Sequence, residues 1–320
     1  MVSAKPVVCI VTPGTRSANN GNWRTAARWA DMLRDRYRVI VQTQWDGEPV
    51  DLMVALHAKR SAPSIEAYRS RHPSGPLLAV LTGTDLYRDL PSGPEVARSL
   101  DLADGIIVLQ DDALRLLEAR WRRKAHVVFQ SARTLPPRAK SKGRLHCVAV
   151  GHLRSEKDPA TLLASVGKIP AGLPITFRHI GAPLDAELAQ AARSLERRDA
   201  RYRYSGALPH GTVRSSIAAA HLLIHPSIME GGANVIVEAV TAGTPVLASR
   251  MSGNVGMLGH DYPGYFAVGD PAALARCLVR ALEEPAYLRA LKAACARRKA
   301  LFTPAAERRL VRNIVAGLLA

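Results

Sequence analysis

The sequence predicts an α/β protein made of two doubly wound domains, each a parallel sheet with helices on both faces. Three observations lead there. Short β-branched runs alternate with helical text from one end to the other, which is the pattern of βαβ units. One Pro, Lys and Ser-rich stretch, TLPPRAKSKGR at 134–144, interrupts the alternation, after which it restarts. The length, 320 residues, suits two domains of about 150 residues each.

In chain order, the first half should hold strands at Val7–Val11, Tyr37–Gln42, Leu52–Leu56, Leu77–Leu81 and Gly105–Leu109. Between them, Asn22–Arg36 places Ala26, Ala27, Ala30 and Leu33 on one helical face, and Asp111–Arg120 reads as a helix with an acidic start. The second half should hold strands at Leu145–Val150, Thr176–Ile180, Leu222–His225 and Pro245–Ala248, with helices starting near Pro159, Ala186, Gly211 and Asn234. From Pro271 onward the text is helical, broken near Glu284–Pro285 and Thr303–Pro304. The expected domains are therefore 1–138 and 139–302, with a last helix at 303–320 that returns to the first domain. In such sheets ligands bind at the carboxyl ends of the strands.

Composition narrows the partners. Forty-four Lys plus Arg against 27 Asp plus Glu give a formal charge of +17, so the surface attracts phosphates, nucleotides, nucleic acid or an anionic membrane, and the charge alone does not choose among them. The arginines are spread over many helices rather than gathered with aromatics in one arm, so nucleic acid is not expected as a partner. Cys9, Cys147, Cys277 and Cys295 lack metal-ligand spacing and read as free thiols. No metal and no cofactor are expected. No window approaches 18 apolar residues and no leader-like pattern opens the chain, so a cytoplasmic setting without stable membrane insertion is expected.

One segment carries chemistry. His225–Val246 reads HPSIMEGGANVIVEAVTAGTPV: a strand end, a glycine turn at Gly231 and Gly232, then a helix from Asn234. The first amides of such a helix have no partner within it, the glycines let a phosphate approach them, and the helix dipole favours negative charge. Glu230 and Glu238 stand eight positions apart, one before the helix and one a turn inside it, within reach of hydroxyls flanking those phosphates.

This text resembles the P-S-x-x-E-G…E-A…G-x-P-V signature of retaining family 4 glycosyltransferases, whose GT-B fold sets two Rossmann-like domains across a cleft. The resemblance implies that Glu230 contacts a donor sugar, Glu238 binds the ribose, and the amides of Gly231, Gly232, Ala233, Asn234 and Val235 hold a diphosphate. In VGHLRSEKDP, Val150–Pro159, Lys157 matches the family's lysine. His152 stands at the usual arginine position, so Arg154 is the substitute expected to stabilise, with Lys157, the charge on a departing nucleoside diphosphate. Lys157, Arg154 and Glu230 are thus the expected catalytic residues. Ser205–Leu208 resembles the family's loop against the nucleotide base.

On the other half, TPGTRSANNGNWRTAARWA follows the first strand. Thr15, Arg16, Asn20, Gly21, Asn22 and Arg24 combine small polar residues, two cations and a helix start, a cradle for a small tetrahedral anion. His57, Thr84 and Asp85, at two further strand ends, are acceptor-binding candidates. Thr82 stands where family members often have histidine.

Across TRSANNGNWRTA, GHLRSEKDP, HPSIMEGGANVIVEA and SGNVGMLG the chain resembles one branch of this family, the selenosugar synthases of selenoneine biosynthesis. That resemblance implies a UDP-sugar donor (UDP-N-acetylglucosamine or UDP-glucose) and selenophosphate as nucleophile. A low-pKa selenium anion needs no strong general base, by the reasoning that applies to thiolates. The alternative is a conventional family 4 enzyme adding a hexose to a glycan, lipid or small alcohol; a sugar-nucleotide epimerase or hydrolase comes third.

Overall fold

The computed structural model describes residues 5–15, 21–136 and 138–320. The chain divides into two compact units, 1–130 with 304–320, and 131–303.

Unit 1 is built on six parallel strands, β1 (Val7–Val11), β2 (Arg38–Gln42), β3 (Leu52–Leu56), β4 (Leu77–Leu81), β5 (Gly105–Val108) and β6 (Ala125–Val127), in the order β2-β1-β3-β4-β5-β6. Alternate side chains of the buried strands enter two separate cores. Cys9, Val11, Met53, Ala55, Leu77 and Ala79 pack with Ile65 and Tyr68 of α2 (Ala62–Arg71). Val8, Ile10, Leu52, Val54, Leu78 and Val80 pack with Trp29 and Leu33 of α1 (Gly21–Leu33) and with the C-terminal helix Pro304–Leu318. Period-2 alternation with both faces apolar is what a parallel sheet sandwiched by helices requires. The C-terminal helix is fixed to α1 by its fully buried Glu307, which accepts from Arg28 Nε at 2.8 Å and from Trp29 Nε1 at 2.7 Å.

The expected helix over Asp111–Arg120 is not a single helix. A 3₁₀ segment covers Asp111–Leu116 and a short α-turn covers Ala119–Arg122. Gln110 caps the first by accepting from Ala113 N, and Leu117 between them is extended, so that Leu117 and Trp121 are both buried, an arrangement a straight helix does not give here.

Unit 2 repeats the architecture with β7 (Leu145–Val150), β8 (Ile175–Ile180), β9 (Tyr202–Tyr204), β10 (Leu222–His225), β11 (Val246–Ser249) and β12 (Tyr265–Phe266), ordered β12-β11-β10-β7-β8-β9 and all parallel. Its helices include α3 (Pro159–Val166), α4 (Ala186–Arg198), α5 (His210–Ala219), α6 (Asn234–Ala242) and α7 (Ser252–Leu258). The chain runs from β7 outward through β8 and β9, then returns to the other side of β7 as β10. That reversal leaves a crevice at the carboxyl ends of β7 and β10, the place where open α/β sheets bind ligands. In unit 1 the reversal falls between β1 and β3 by the same reasoning. No helix among the described residues is long and apolar enough to cross a membrane.

Candidate active site

In unit 2 the crevice holds Gly151 after β7 and His225 at the end of β10, and a small cavity there is lined by Gly151, Lys157, His179, His225 and Ser227. The backbone after β7 can turn over the sheet because the residue following β8 is Gly181. A β-carbon there would lie 1.8 Å from the Gly151 carbonyl oxygen. A 3₁₀ turn, Ser155–Lys157, then brings Lys157 back over Gly151, and Asp158, in the left-handed region at φ 44°, caps α3 through Thr161 N. Asp tolerates that region better than most side chains.

Lys157 Nζ donates to Glu230 Oε1, and His225 Nε2 lies 3.3 Å from the same oxygen. Glu230 and His225 are both buried. Burial pushes the Glu230 carboxyl up, but the Lys157 ammonium and then the His225 imidazole outweigh it and hold the group well below the ordinary glutamate range. Glu230 is therefore a carboxylate, an acceptor for hydroxyl protons rather than a proton donor.

The loop that carries Glu230 is held from behind. Ile228 N donates to the Glu156 carbonyl at 3.0 Å, tying it to the Lys157 turn. Ser249 Oγ donates to the Ser227 carbonyl, while Asn254 Nδ2 donates to Ser249 O at 2.9 Å and Oγ at 3.0 Å. Gly253 of α7 packs so closely that a β-carbon would come within 1.9 Å of the Glu230 carbonyl oxygen. The segment SGNVGMLG thus has a physical purpose: it is the support on which the glutamate loop rests.

Gly231 and Gly232 bend the chain into α6, whose N-cap is Ala233 and whose first residues are Asn234 and Val235. The amides of that first turn are left for a ligand by helix geometry. Glu238, one turn into α6, is buried, and its Oε1 lies 2.6 Å from His210 Nε2 at the start of α5. The structure therefore brings Lys157, on the turn after β7, into contact with Glu230, and sets Glu238 in α6, whose N-terminus follows the Glu230 loop.

Arg154 is more loosely placed. It is exposed and its Nε lies 3.8 Å from Glu156 Oε2. His152, at the position where an arginine was expected, anchors the backbone instead, its Nδ1 accepting from Ala182 N at 3.0 Å. His225 and His210 were not anticipated from sequence. His225 announced itself only as the last residue of an apolar strand, and His210 lies 28 residues from its partner.

In unit 1, His57 follows β3 and Asp85 follows β4. The fully buried Asp85 accepts from the amides of Ala58 at 3.0 Å, Thr82 at 2.9 Å and Gly83 at 2.7 Å, and His57 Nε2 sits 2.9 Å from Thr84 Oγ1. Burial raises the Asp85 pKa and lowers that of His57. Thr15 is exposed just after β1; Gly21, Asn22 and Arg24 form the first turn of α1. Arg16 and Asn20 lie outside the described residues. Among the described residues, no group of three or more His, Cys, Asp or Glu could hold a metal ion.

Residues 133–298 match the family model "Glycosyl transferases group 1". A 2-deoxystreptamine glucosyltransferase of Streptomyces kanamyceticus is 32% identical over 140 residues, 43% of this chain and 36% of that protein, so the similarity spans about a third of that relative's length. A glycosyltransferase 1 domain-containing protein 1 of Xenopus tropicalis is 23% identical over 297 residues, 84% of this chain and 86% of that one. Among solved structures, HepE of Anabaena in complex with UDP and glucose superposes with a TM-score of 0.76 at 16% identity, covering 98% of this chain and 100% of that one. Sucrose-phosphate synthase of Thermosynechococcus elongatus gives 0.75 at 18% identity, with 98% and 100% covered. Two parallel six-stranded sheets with such neighbours make this the two-domain, Rossmann-like GT-B fold. Since the family match takes in just over half of the residues, including Lys157, Glu230 and Glu238, the chain belongs to the group 1 glycosyl transferases.

Proposed function

We propose that this glycosyltransferase moves a sugar from a UDP-sugar, UDP-N-acetylglucosamine or UDP-glucose, to selenophosphate, forming a 1-selenosugar. The observation that carries the donor half is the Lys157–Glu230–His225 cluster beside the N-terminus of α6 in the strand-reversal crevice. Neighbours of the same fold bind UDP and glucose, and the same chemistry fits this crevice. The acceptor half rests on the resemblance of the four quoted segments to selenosugar synthases.

In the reaction, selenium attacks the anomeric carbon, forming the C–Se bond as the bond from that carbon to the β-phosphate oxygen breaks. UDP leaves with the electron pair. Water then cleaves the P–Se bond, releasing phosphate and leaving the selenol on the sugar. Lys157, Arg154 and the Gly231–Val235 amides stabilise the charge gathering on the diphosphate. When the diphosphate takes over the Lys157 ammonium, Glu230 is left to accept from the sugar hydroxyls, with His225 beside it, and Glu238 accepts from the ribose. Thr15, Arg16, Asn20, Gly21, Asn22, Arg24 and the Thr84 hydroxyl receive the phosphoryl oxygens of the acceptor, while the buried His57 and Asp85 hold the strand-end loops that carry Thr84.

The test is UDP release from each donor with and without selenophosphate, with mass analysis of the product. Release that depends on selenophosphate and yields a selenium-bearing sugar is the expected result. Release with a hydroxyl acceptor in its place favours the conventional transferase, the activity by which the Streptomyces relative is named.

A further inference from the structure

We propose that His57 is a positioning residue: it holds the Thr84 hydroxyl as a hydrogen-bond donor toward an anionic, phosphate-class acceptor at the carboxyl ends of β3 and β4. This rests on the acceptor reading given above and assigns it a residue that acts through another.

The starting point is the backbone. His57 has φ 66°, in the left-handed region, and only Asp158 shares that distinction among the described residues that are not glycine. A side chain bearing a β-carbon is disfavoured there. The turn itself serves to aim Ala58 N–H at Asp85 Oδ2, 3.0 Å away, and glycine would do this without a steric penalty. Retaining a histidine at a position suited to glycine points to the ring.

The ring is spoken for at both nitrogens. Arg60 N–H donates to Nδ1 at 3.4 Å, and Asp85 Oδ2, 3.8 Å from that nitrogen, is beyond hydrogen-bond reach; this favours the tautomer with the ring proton on Nε2, 2.9 Å from Thr84 Oγ1. Thr84 then accepts from His57, and its own proton is left to be donated elsewhere. Thr84 stands at the N-cap of the helical segment Asp85–Asp89, yet its side chain caps nothing there, because the Asp85 carboxylate has collected the local amides. His57 is buried and Thr84 is half-buried, so the outward end of the relay is the hydroxyl. Burial lowers the His57 pKa, which keeps Nδ1 free to accept at neutral pH and so keeps the relay pointing one way.

The experiment compares His57→Gly, Thr84→Val and Thr84→Ser with the wild type, measuring KM for selenophosphate, UDP affinity and Tm. A hydrogen bond to a charged group is worth enough to raise the acceptor KM about tenfold or more when lost. That rise is expected for His57→Gly and Thr84→Val, with UDP affinity unchanged and with the Tm of His57→Gly equal to or above that of the wild type. Thr84→Ser should behave as wild type, and the double variant His57→Gly/Thr84→Val no worse than either single one, because both remove the same bond. An unchanged acceptor KM in Thr84→Val, or additive losses in the double variant, overturns the role of His57 alone. Wild-type protein that binds UDP but makes no product with selenophosphate overturns the acceptor assignment, and this proposal with it.

Discussion

Lys157→Ala should destabilise the ligand-free protein, at neutral pH far more than at acid pH. In the wild type the Glu230 carboxylate is buried, with Lys157 donating to it and His225 Nε2 at 3.3 Å. Removing the ammonium leaves the His225 imidazole alone to oppose burial. Breaking a buried ion pair from one side costs roughly 3–5 kcal/mol, and with Lys157 itself 20% exposed the lower end applies, about 3 kcal/mol. For a unit of this size each kcal/mol corresponds to ~2–4 °C, so Tm should fall by roughly 6–12 °C.

The sign of the pH dependence follows from the direction of the shift. Glu230 is depressed in the folded state, so its contribution is fully present above its ordinary pKa of 4.5 and is lost as the pH falls below that. In Lys157→Ala burial is opposed by His225 alone, so the group moves back up and protonation relieves the variant as the wild type begins to lose its advantage. Thermal scans of both proteins at pH 7 and near pH 4.5 should show the gap narrowing with acid. The double variant Lys157→Met/Glu230→Gln, which removes both charges at similar volume, should regain most of the Tm but not UDP affinity. A gap under about 1 kcal/mol at pH 7, or one that does not narrow with acid, would refute the reasoning.

Three other perturbations test separate parts of the structure. His179 is buried beneath the cavity with Nδ1 2.8 Å from Tyr202 Oη, and burial pushes its pKa down from 6.5 to about 4. The unfolded chain therefore binds the proton first, and stability should decline as pH falls from 6.5 to 4, by up to about 3 kcal/mol; His179→Gln should flatten denaturation profiles across that window. Gly253→Ala forces a β-carbon toward the Glu230 carbonyl oxygen, 1.9 Å away, and should cost about 1–3 kcal/mol and raise the donor KM, as read by Tm and initial rates. Glu307→Gln removes the charge that faces Arg28 in unit 1 and should lower stability by about 2–3 kcal/mol in denaturant titrations while leaving UDP affinity unchanged.

The buried strands were the most legible elements. Val7–Val11, Leu52–Leu56, Leu77–Leu81, Leu145–Val150 and Leu222–His225 fall where the apolar runs put them, because a strand covered on both faces must be apolar along its whole length. Short edge strands were not legible: Ala125–Val127 and Tyr265–Phe266 are three and two residues long, with too little sequence to show a period. The Asp111–Arg120 stretch misled because helical text there yields to the burial of Leu117 and Trp121.

Within the candidate site, Glu230 and Glu238 stand out in sequence because one glycine turn and helix start holds them in a short segment, and Lys157 because it lies in a second short segment after β7. The histidines could not. His225 acts on Glu230 because the loop folds back on itself over five residues, and His210 reaches Glu238 only through the packing of α5 beside α6. The support given by Gly253 depends on a close approach to the Glu230 carbonyl that no sequence pattern encodes.

Incubating the purified protein with UDP-N-acetylglucosamine or UDP-glucose and selenophosphate, and following UDP and product mass together, decides whether the sugar passes from a UDP-sugar to selenophosphate. UDP release that requires selenophosphate, accompanied by a selenium-bearing sugar and abolished in Lys157→Ala, is the predicted result. UDP release that is indifferent to selenophosphate, or a product without selenium, would contradict it.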